Sequence, residues 1–505
     1  MLFWRFEKTL RSYKMDYRYL KIFAFLSIFF VVGVITAGIR LNLFGAIVNK
    51  EEVVNHSARN KIDKIFFDEK TAILDSVIQQ KVDRFNFNGS ILVGYKGNCI
   101  FNHSFGYADI RKREPLSSDA IFQLASVSKQ FTAMAVMILK ESNKLHYDDS
   151  VTKYIPDFPY PRMTVRMLLN HTSGLPNYMW LVEHHWKGEN PPYNDDIMKM
   201  LADHKLSLYY TPGRRFNYSN TGYVVLAAIV ENVSGQRFAD FLEENIFDPL
   251  EMKNSFVHSS SFQAKDKNYL SGFYYRSRRY RMIPPTVNDG AVGDKGIYST
   301  TADLYKWDQA LYKNQLVSEE TMNEAITPFK LYGRYNIHYG FGFRIRERND
   351  KKVVYHHGRW NGFRTSFFRF VEDNNTIIVL NHTSSSLNNS IVREIQQVLD
   401  DSISADYTHD MVTTLLDDGI DKARKKYFDL KQKKNFTLDT VKLTIASQIL
   451  TDLQNYENAE KIHLFKKMYV SGQLDKMQIV DNTFHQPPVS NGKTGNRIED
   501  ITLAR

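Results

Sequence analysis

Hydrophobic and polar positions change period several times along this chain, and the changes mark its parts. Residues 22–39 are apolar and uncharged, the length at which a segment begins to span a bilayer. Residues 71–85 repeat their apolar positions at helical spacing. Two strand-like runs follow, 90–95 and 99–105, around Lys96-Gly97-Asn98, a hairpin signal. Residues 131–139 are apolar on nearly every side, which predicts a helix buried in a core. From about 141 to 284 the text is helical and loop-rich, with candidate helices at 164–170, 193–203, 221–233 and 238–246. Strands return at 341–346, 353–357, 365–371 and 376–380, separated by Asn349-Asp350 and Asp373-Asn374-Asn375 turns. A closing helix at 389–399 should pack on that meander beside the 71–85 helix. Past Ser404 come helical segments at 413–433, 438–453 and 457–469, then a polar tail.

The predicted class is therefore α/β in the α+β sense, an antiparallel sheet flanked by helices with an inserted helical subdomain. A transmembrane helix precedes it and a small helical unit follows. The expected boundaries are a leader at 1–21, a signal anchor at 22–40, a stalk at 41–64, the main domain at 65–402, the helical unit at 403–475 and a tail at 476–505.

Charge changes this picture in one place. The net charge is +10, but the leader alone carries six Lys and Arg against two acidic residues, and Lys422, Arg424, Lys425, Lys426, Lys431, Lys433 and Lys434 form a second cluster. The middle of the chain is nearly balanced. No zinc-finger, glycine-loop or aromatic-basic pattern accompanies the charge, so nucleic acid is not an expected partner. A basic leader before an apolar span keeps the N-terminus in the cytoplasm and sends everything after Arg40 to the periplasmic or extracellular side. Membrane contact is expected through that helix. Cys99 is the sole cysteine, which excludes internal disulfides. His356-His357 lacks companions at ligand spacing, and neither a metal nor a cofactor is expected.

The candidate chemistry begins at Ser126 and Lys129, three apart at the start of the buried 131–139 helix and so neighbours on one face. A hydroxyl is a weak nucleophile until a base activates it, and a desolvated lysine can do so. The same spacing at Ser150 and Lys153 fails on context, because Pro156 follows at once. About ninety residues on, a Pro212-Gly213 turn leads to Tyr218 and Asn220. A phenol there can share a proton with Ser126 and Lys129, and the amide can orient a substrate carbonyl or the lysine. The third piece, His356-His357-Gly358-Arg359-Trp360, ends a predicted strand, where Gly358 would let a substrate backbone approach the edge.

The runs 123–141, Leu168-Leu169-Asn170-His171-Thr172-Ser173-Gly174-Leu175-Pro176, 212–220 continuing through Glu231, Ser234-Gly235 and Pro249-Leu250, and 293–300 with Asp303-Leu304 together resemble the serine beta-lactamase-related family. That family includes class C beta-lactamases, D-alanyl-D-alanine carboxypeptidases, D-aminopeptidases and related esterases. The resemblance runs from about 70 to 400 and implies the beta-lactamase/transpeptidase-like fold. By position it implies that Ser126 is the acylated nucleophile, Lys129 its proton acceptor and Tyr218 the acid or base serving the leaving group. Asn220, His356 and Gly358 would meet the substrate, and the backbone amides of Ser126 and Arg359 would form the oxyanion hole. To act as a base Lys129 must drop from about 10.4 toward 7 or 8, a shift of roughly 4 kcal/mol.

One departure stands out. Where the penicillin-reactive relatives carry Lys-Thr-Gly this chain has His356-His357-Gly358, while its one Lys493-Thr494-Gly495 lies in the polar tail. A histidine of ordinary pKa is mostly neutral at pH 7, so the permanent cation is missing. The expectation is a membrane-anchored serine hydrolase acting through an acyl-enzyme on uncharged esters or amides, of esterase or D-aminopeptidase type. Its rivals are a cell-wall D,D-carboxypeptidase or beta-lactamase, and a non-hydrolytic penicillin-binding-like receptor.

Overall fold

The computed structural model describes residues 57–259, 269–277, 279–333, 335–400, 407–432 and 436–476. The expected leader, the signal anchor, most of the stalk and the tail lie outside them. Among the described residues no helix is long and apolar enough to cross a membrane. The chain divides into a larger unit, residues 64–404, and a smaller one that holds residues 57–63 and the segment after 404.

The larger unit is built on a six-stranded antiparallel sheet. Its strands are β1 (Gly89–Tyr95), β2 (Asn98–Phe105), β3 (Arg344–Arg348), β4 (Lys351–Trp360), β5 (Phe363–Phe370) and β6 (Asn375–Asn381), in the order β3-β4-β5-β6-β1-β2. β1 pairs with β6 from Gly89↔Asn381 to Gly94↔Thr376, so the last strand closes on the first. The β1–β2 turn has Lys96 at φ 49° and Gly97 at φ 77°, the left-handed pair that a two-residue hairpin needs. Every residue of β1 and β6 is buried. Because successive side chains alternate faces, both faces of these central strands are covered.

The helix over 64–85 (α1) and a closing helix α4 (Asn388–Leu399) lie side by side, as the sequence predicts: Lys70 donates to the Val398 carbonyl at 3.0 Å and Lys81 pairs with Glu394. A third helix, Thr301–Tyr312, is tied to the sheet through a buried ion pair. Arg369 on β5 donates to Asp308 at 2.6 Å, the two residues being 1% and 0% exposed, and Thr376 of β6 reaches the same carboxylate.

Between β2 and β3 the chain makes the helical part. Its centre is α2 (Lys129–Glu141), buried at ten of thirteen positions, with α3 (Asn220–Ser234) against it. Shorter helices at Val165–Leu169, Tyr178–His185, Asn194–His204 and Phe238–Leu242 belong to the same part. These match the expected helices to within a residue or two, except that Tyr178–His185 is not anticipated and the 238–246 helix widens after Leu242. α2 has no polar face because helices and sheet meet around it.

In the smaller unit the expected 413–433 helix is two helices, Thr408–Asp417 and Ile420–Lys431, broken at Gly419 with φ 84°. Thr440–Asp452 and Tyr456–Val470 pack together as a hairpin. Residues 57–63, within the expected stalk, are helical, and Asp63 accepts from His409 at 2.8 Å. Asp308→Ala would leave the Arg369 guanidinium buried and unpaired. Denaturant unfolding should then show a loss of about 3–5 kcal/mol.

Candidate active site

Ser126 sits in a single 3₁₀ turn, Ala125–Ser128, that runs into α2 at Lys129. The α-helical face predicted for the pair is thus one tighter turn, which still brings i and i+3 together. Ala125 has φ 49°, a left-handed backbone that costs a non-glycine residue roughly 1–3 kcal/mol. Its neighbours hold it there. Leu124 N–H donates to the Ile297 carbonyl at 2.8 Å, Thr365 Oγ1 donates to the Leu124 carbonyl at 2.7 Å, and Ser128 Oγ accepts from Ile297 N–H at 3.2 Å.

Lys129 is fully buried and its Nζ meets three oxygens: Ser126 Oγ at 3.1 Å, Asn220 Oδ1 at 2.9 Å and the Asp294 carbonyl at 2.8 Å. An ammonium has three protons, so this cradle is complete for it. Burial pushes its pKa down to about 7; the Asp294 carboxylate opposes the shift and the Arg344 guanidinium adds to it. Near neutral pH a large share of Lys129 is therefore the free amine, which can take the Ser126 proton.

Tyr218 and Asn220 converge on the same point from the start of a helix and the loop before it. Asn220 is the first residue of α3, capped by Ser219, whose hydroxyl accepts from Gly222 N–H. The preceding loop is set by His171, which is buried with φ 61°. Its carbonyl accepts from Asn217 N–H at 3.0 Å and its Nδ1 from Ser219 N–H at 3.1 Å. Accepting at Nδ1 makes the ring neutral and puts its proton on Nε2. Burial, with Lys129, His356 and Arg344 nearby, holds His171 well below the usual histidine range. Its ring packs 4.4 Å from that of Tyr218. Lys129 Nζ lies 4.9 Å above the centroid of Tyr218, whose buried hydroxyl has no hydrogen bond of good geometry among the described residues, although it lies close enough to Ser126 to feel it. Burial raises the Tyr218 pKa well above the ordinary phenol value, and Ser126 and Arg344 offset this only in part. At neutral pH Tyr218 is a proton donor.

The third motif lies on the edge of β4. The last β3–β4 pair is Arg344↔Tyr355, so residues 356–360 run on with that edge unpaired by any strand among the described residues. It faces the Ser126 turn. A Cβ on Gly358 would come within 2.3 Å of the Leu124 carbonyl and 2.1 Å of Thr365 Oγ1. Gly358 therefore admits the backbone before the nucleophile, not the substrate approach expected of it. His356 also differs from expectation. It is 1% exposed, its Nδ1–H donates to the His357 carbonyl at 2.8 Å and its Nε2 accepts from Tyr339 at 3.1 Å. Both ring nitrogens are spent on the protein, and burial, Lys129 and Arg344 keep the ring neutral, so it offers a substrate neither a hydrogen bond nor a charge. Arg359, which is exposed, follows on the same stretch of β4.

Arg344 is the residue that sequence reasoning missed. Its guanidinium carbon lies 5.3 Å from the Tyr218 ring centroid and 6.0 Å from that of Tyr339. Among the described residues it has no acidic partner. No spacing rule marks it, because β3 brings it to the site only by pairing with β4. Among the described residues no group of His, Cys, Asp and Glu could hold a metal.

The family model for beta-lactamase matches residues 74–400. The chain belongs to the beta-lactamase family. Within it, the chain is 36% identical over 321 residues to penicillin-binding protein 4* of Bacillus subtilis (strain 168), covering 61% of this chain and 71% of that protein. It is 27% identical over 360 residues to the putative penicillin-binding protein PbpX of the same organism, covering 69% and 84%. Among solved structures, the octameric penicillin-binding protein homologue from Pyrococcus abyssi superposes with a TM-score of 0.56 at 27% identity, over 65% of this chain and 76% of that one.

For this beta-lactamase family site the acylation rate with a fluorophosphonate should rise with pH through a midpoint at about 7 and level off roughly one unit higher, as Lys129 gives up its proton. Rates that stay flat through that window would mean another group accepts the Ser126 proton.

Proposed function

We propose that this chain is a serine acyl hydrolase of penicillin-binding type, acting on peptides that end in a free D-amino-acid carboxylate such as D-Ala-D-Ala. The hydrogen-bonded chain from Ser126 through buried Lys129 to Asn220 carries the acyl-enzyme part of this reading. Ser126 Oγ attacks the carbonyl carbon as its proton passes to Lys129. The oxyanion is held by the amides of Ser126 and Arg359; losing one such donor typically costs roughly a hundred- to a thousandfold in rate. Collapse breaks the bond to the leaving amine, which takes its proton from Tyr218, and Tyr218 is restored from the Lys129 ammonium. Water then repeats the attack on the ester, regenerating Ser126 and releasing the acid.

The choice of substrate follows from Arg344. The preference for uncharged esters or amides rests on a missing cation in the third motif, and the guanidinium beside Tyr218 supplies one from β3. It lies at the end of the cleft where the leaving group receives its proton, and a charge-assisted hydrogen bond there contributes roughly 1.5–3 kcal/mol. The names of the B. subtilis relatives agree with this direction.

The test compares an N-acyl-D-Ala-D-Ala peptide with the same peptide amidated at its C-terminus. The wild type should prefer the free acid, and Arg344→Gln should reduce the ratio of the two kcat/KM values by roughly 10- to 100-fold. An unchanged ratio would remove Arg344 from substrate recognition. Equal turnover of both peptides by the wild type would return the enzyme to the esterase or aminopeptidase reading.

A further inference from the structure

The mechanism leaves a second buried lysine unused. Lys295 is 3% exposed, and its Nζ donates to the Tyr178 hydroxyl and, at 3.4 Å, to Asp294 Oδ1. Tyr178 donates in turn to Asp294 Oδ2 at 3.2 Å. The Trp360 and Tyr178 ring centroids lie 4.8 and 5.2 Å from the ammonium. Among the described residues two of its three protons are thus committed to the protein and one is not.

Lys295 also lines a cleft with Gln123, Asp289, Tyr298, Asn361 and Phe363. The Asp289 carboxylate there is already occupied, by Trp360 Nε1 and by Asn361 Nδ2 at 2.9 Å. Gln123 is not satisfied. It is 5% exposed, its Nε2 donates to the Tyr298 hydroxyl at 3.1 Å, and its Oε1 has no partner among the described residues. A buried amide oxygen without a donor is costly, and a ligand N–H would satisfy it.

The position of this cleft follows from the order of residues along β4. His356 packs its ring 6.0 Å from that of Tyr218, at the end where the leaving group takes its proton. Arg359 carries the oxyanion amide, and Trp360, next in sequence, covers Lys295. The cleft therefore receives the part of the substrate that stays on Ser126.

We infer that Lys295 and Gln123 form an acyl-side subsite for a chain bearing a carboxylate and an amide N–H, an acidic acylamino group. This rests on the acyl-enzyme reading above, but not on which leaving group is natural. The probes are two 4-nitrophenyl esters with the same leaving group, one of adipic acid with its far carboxylate free and one of methyl adipate. The wild type should favour the free carboxylate by about tenfold in kcat/KM, the order of one charged hydrogen bond. Lys295→Met should bring the ratio near one, and Lys295→Arg should keep it. Gln123→Glu, which places a negative charge in the same cleft without removing the lysine, should also lower the ratio. The inference is overturned if the wild type shows no preference, or if Lys295→Met slows both esters equally, which is the mark of a mere counter-ion for Asp294. Failure of both esters to acylate Ser126 would overturn the hydrolase reading itself, and this subsite with it.

Discussion

A single amine, withdrawn from water and ringed by oxygens, sets the terms for this active site. Lys129 opens a helix that is buried around most of its circumference, so its ammonium loses hydration that hydrogen bonds alone only partly replace. The cradle of Ser126, Asn220 and the Asp294 carbonyl fixes the position of Nζ, and burial fixes its proton affinity near neutrality. The same burial acts in the opposite sense on Tyr218, where it keeps the phenol protonated. Two groups of similar ordinary pKa are thereby driven apart into a base and an acid, about one ring width from each other.

Permanent charges decide how far that separation goes. Arg344 favours the free amine on Lys129 and the neutral rings of His171 and His356, while Asp294 works against it. The negative charge of Asp294 is in turn shared with Lys295 and Tyr178. Lys295 and Arg344 thus place cations beside Asp294 and Tyr218, and the titratable amine of Lys129 lies next to both.

Much of this was legible in the sequence, and the part that was not has a common cause. Ser126, Lys129, Tyr218 and Asn220 are each marked by a local rule: spacing on a helix, a Pro-Gly turn, a helix start. The strands show as strand-like runs, and their turns as Asn, Asp and Gly pairs. Arg344, His171 and Tyr339 carry no such mark, because their roles come from strand pairing and ring packing between segments far apart in the chain. The sequence marks Gly358 as a place of close approach but not its neighbour: the space it leaves is filled by Leu124. By its type alone His356 is a weak substitute for a lysine, whereas its partners Tyr339 and His357 leave it nothing to offer a substrate. The break at Gly419 shows the same limit, since a glycine inside a helical pattern is read as tolerated until its φ is known.

The most direct measurement is peptide mapping by mass spectrometry after exposure of the protein to fluorescent penicillin, run in parallel on the wild type and on Lys129→Met with matched circular dichroism. The account predicts one adduct, on the peptide containing Ser126, and a rate of formation lower by roughly a hundred- to ten-thousandfold in the variant. An adduct on a different serine, or labelling of Lys129→Met at the wild-type rate, would contradict it.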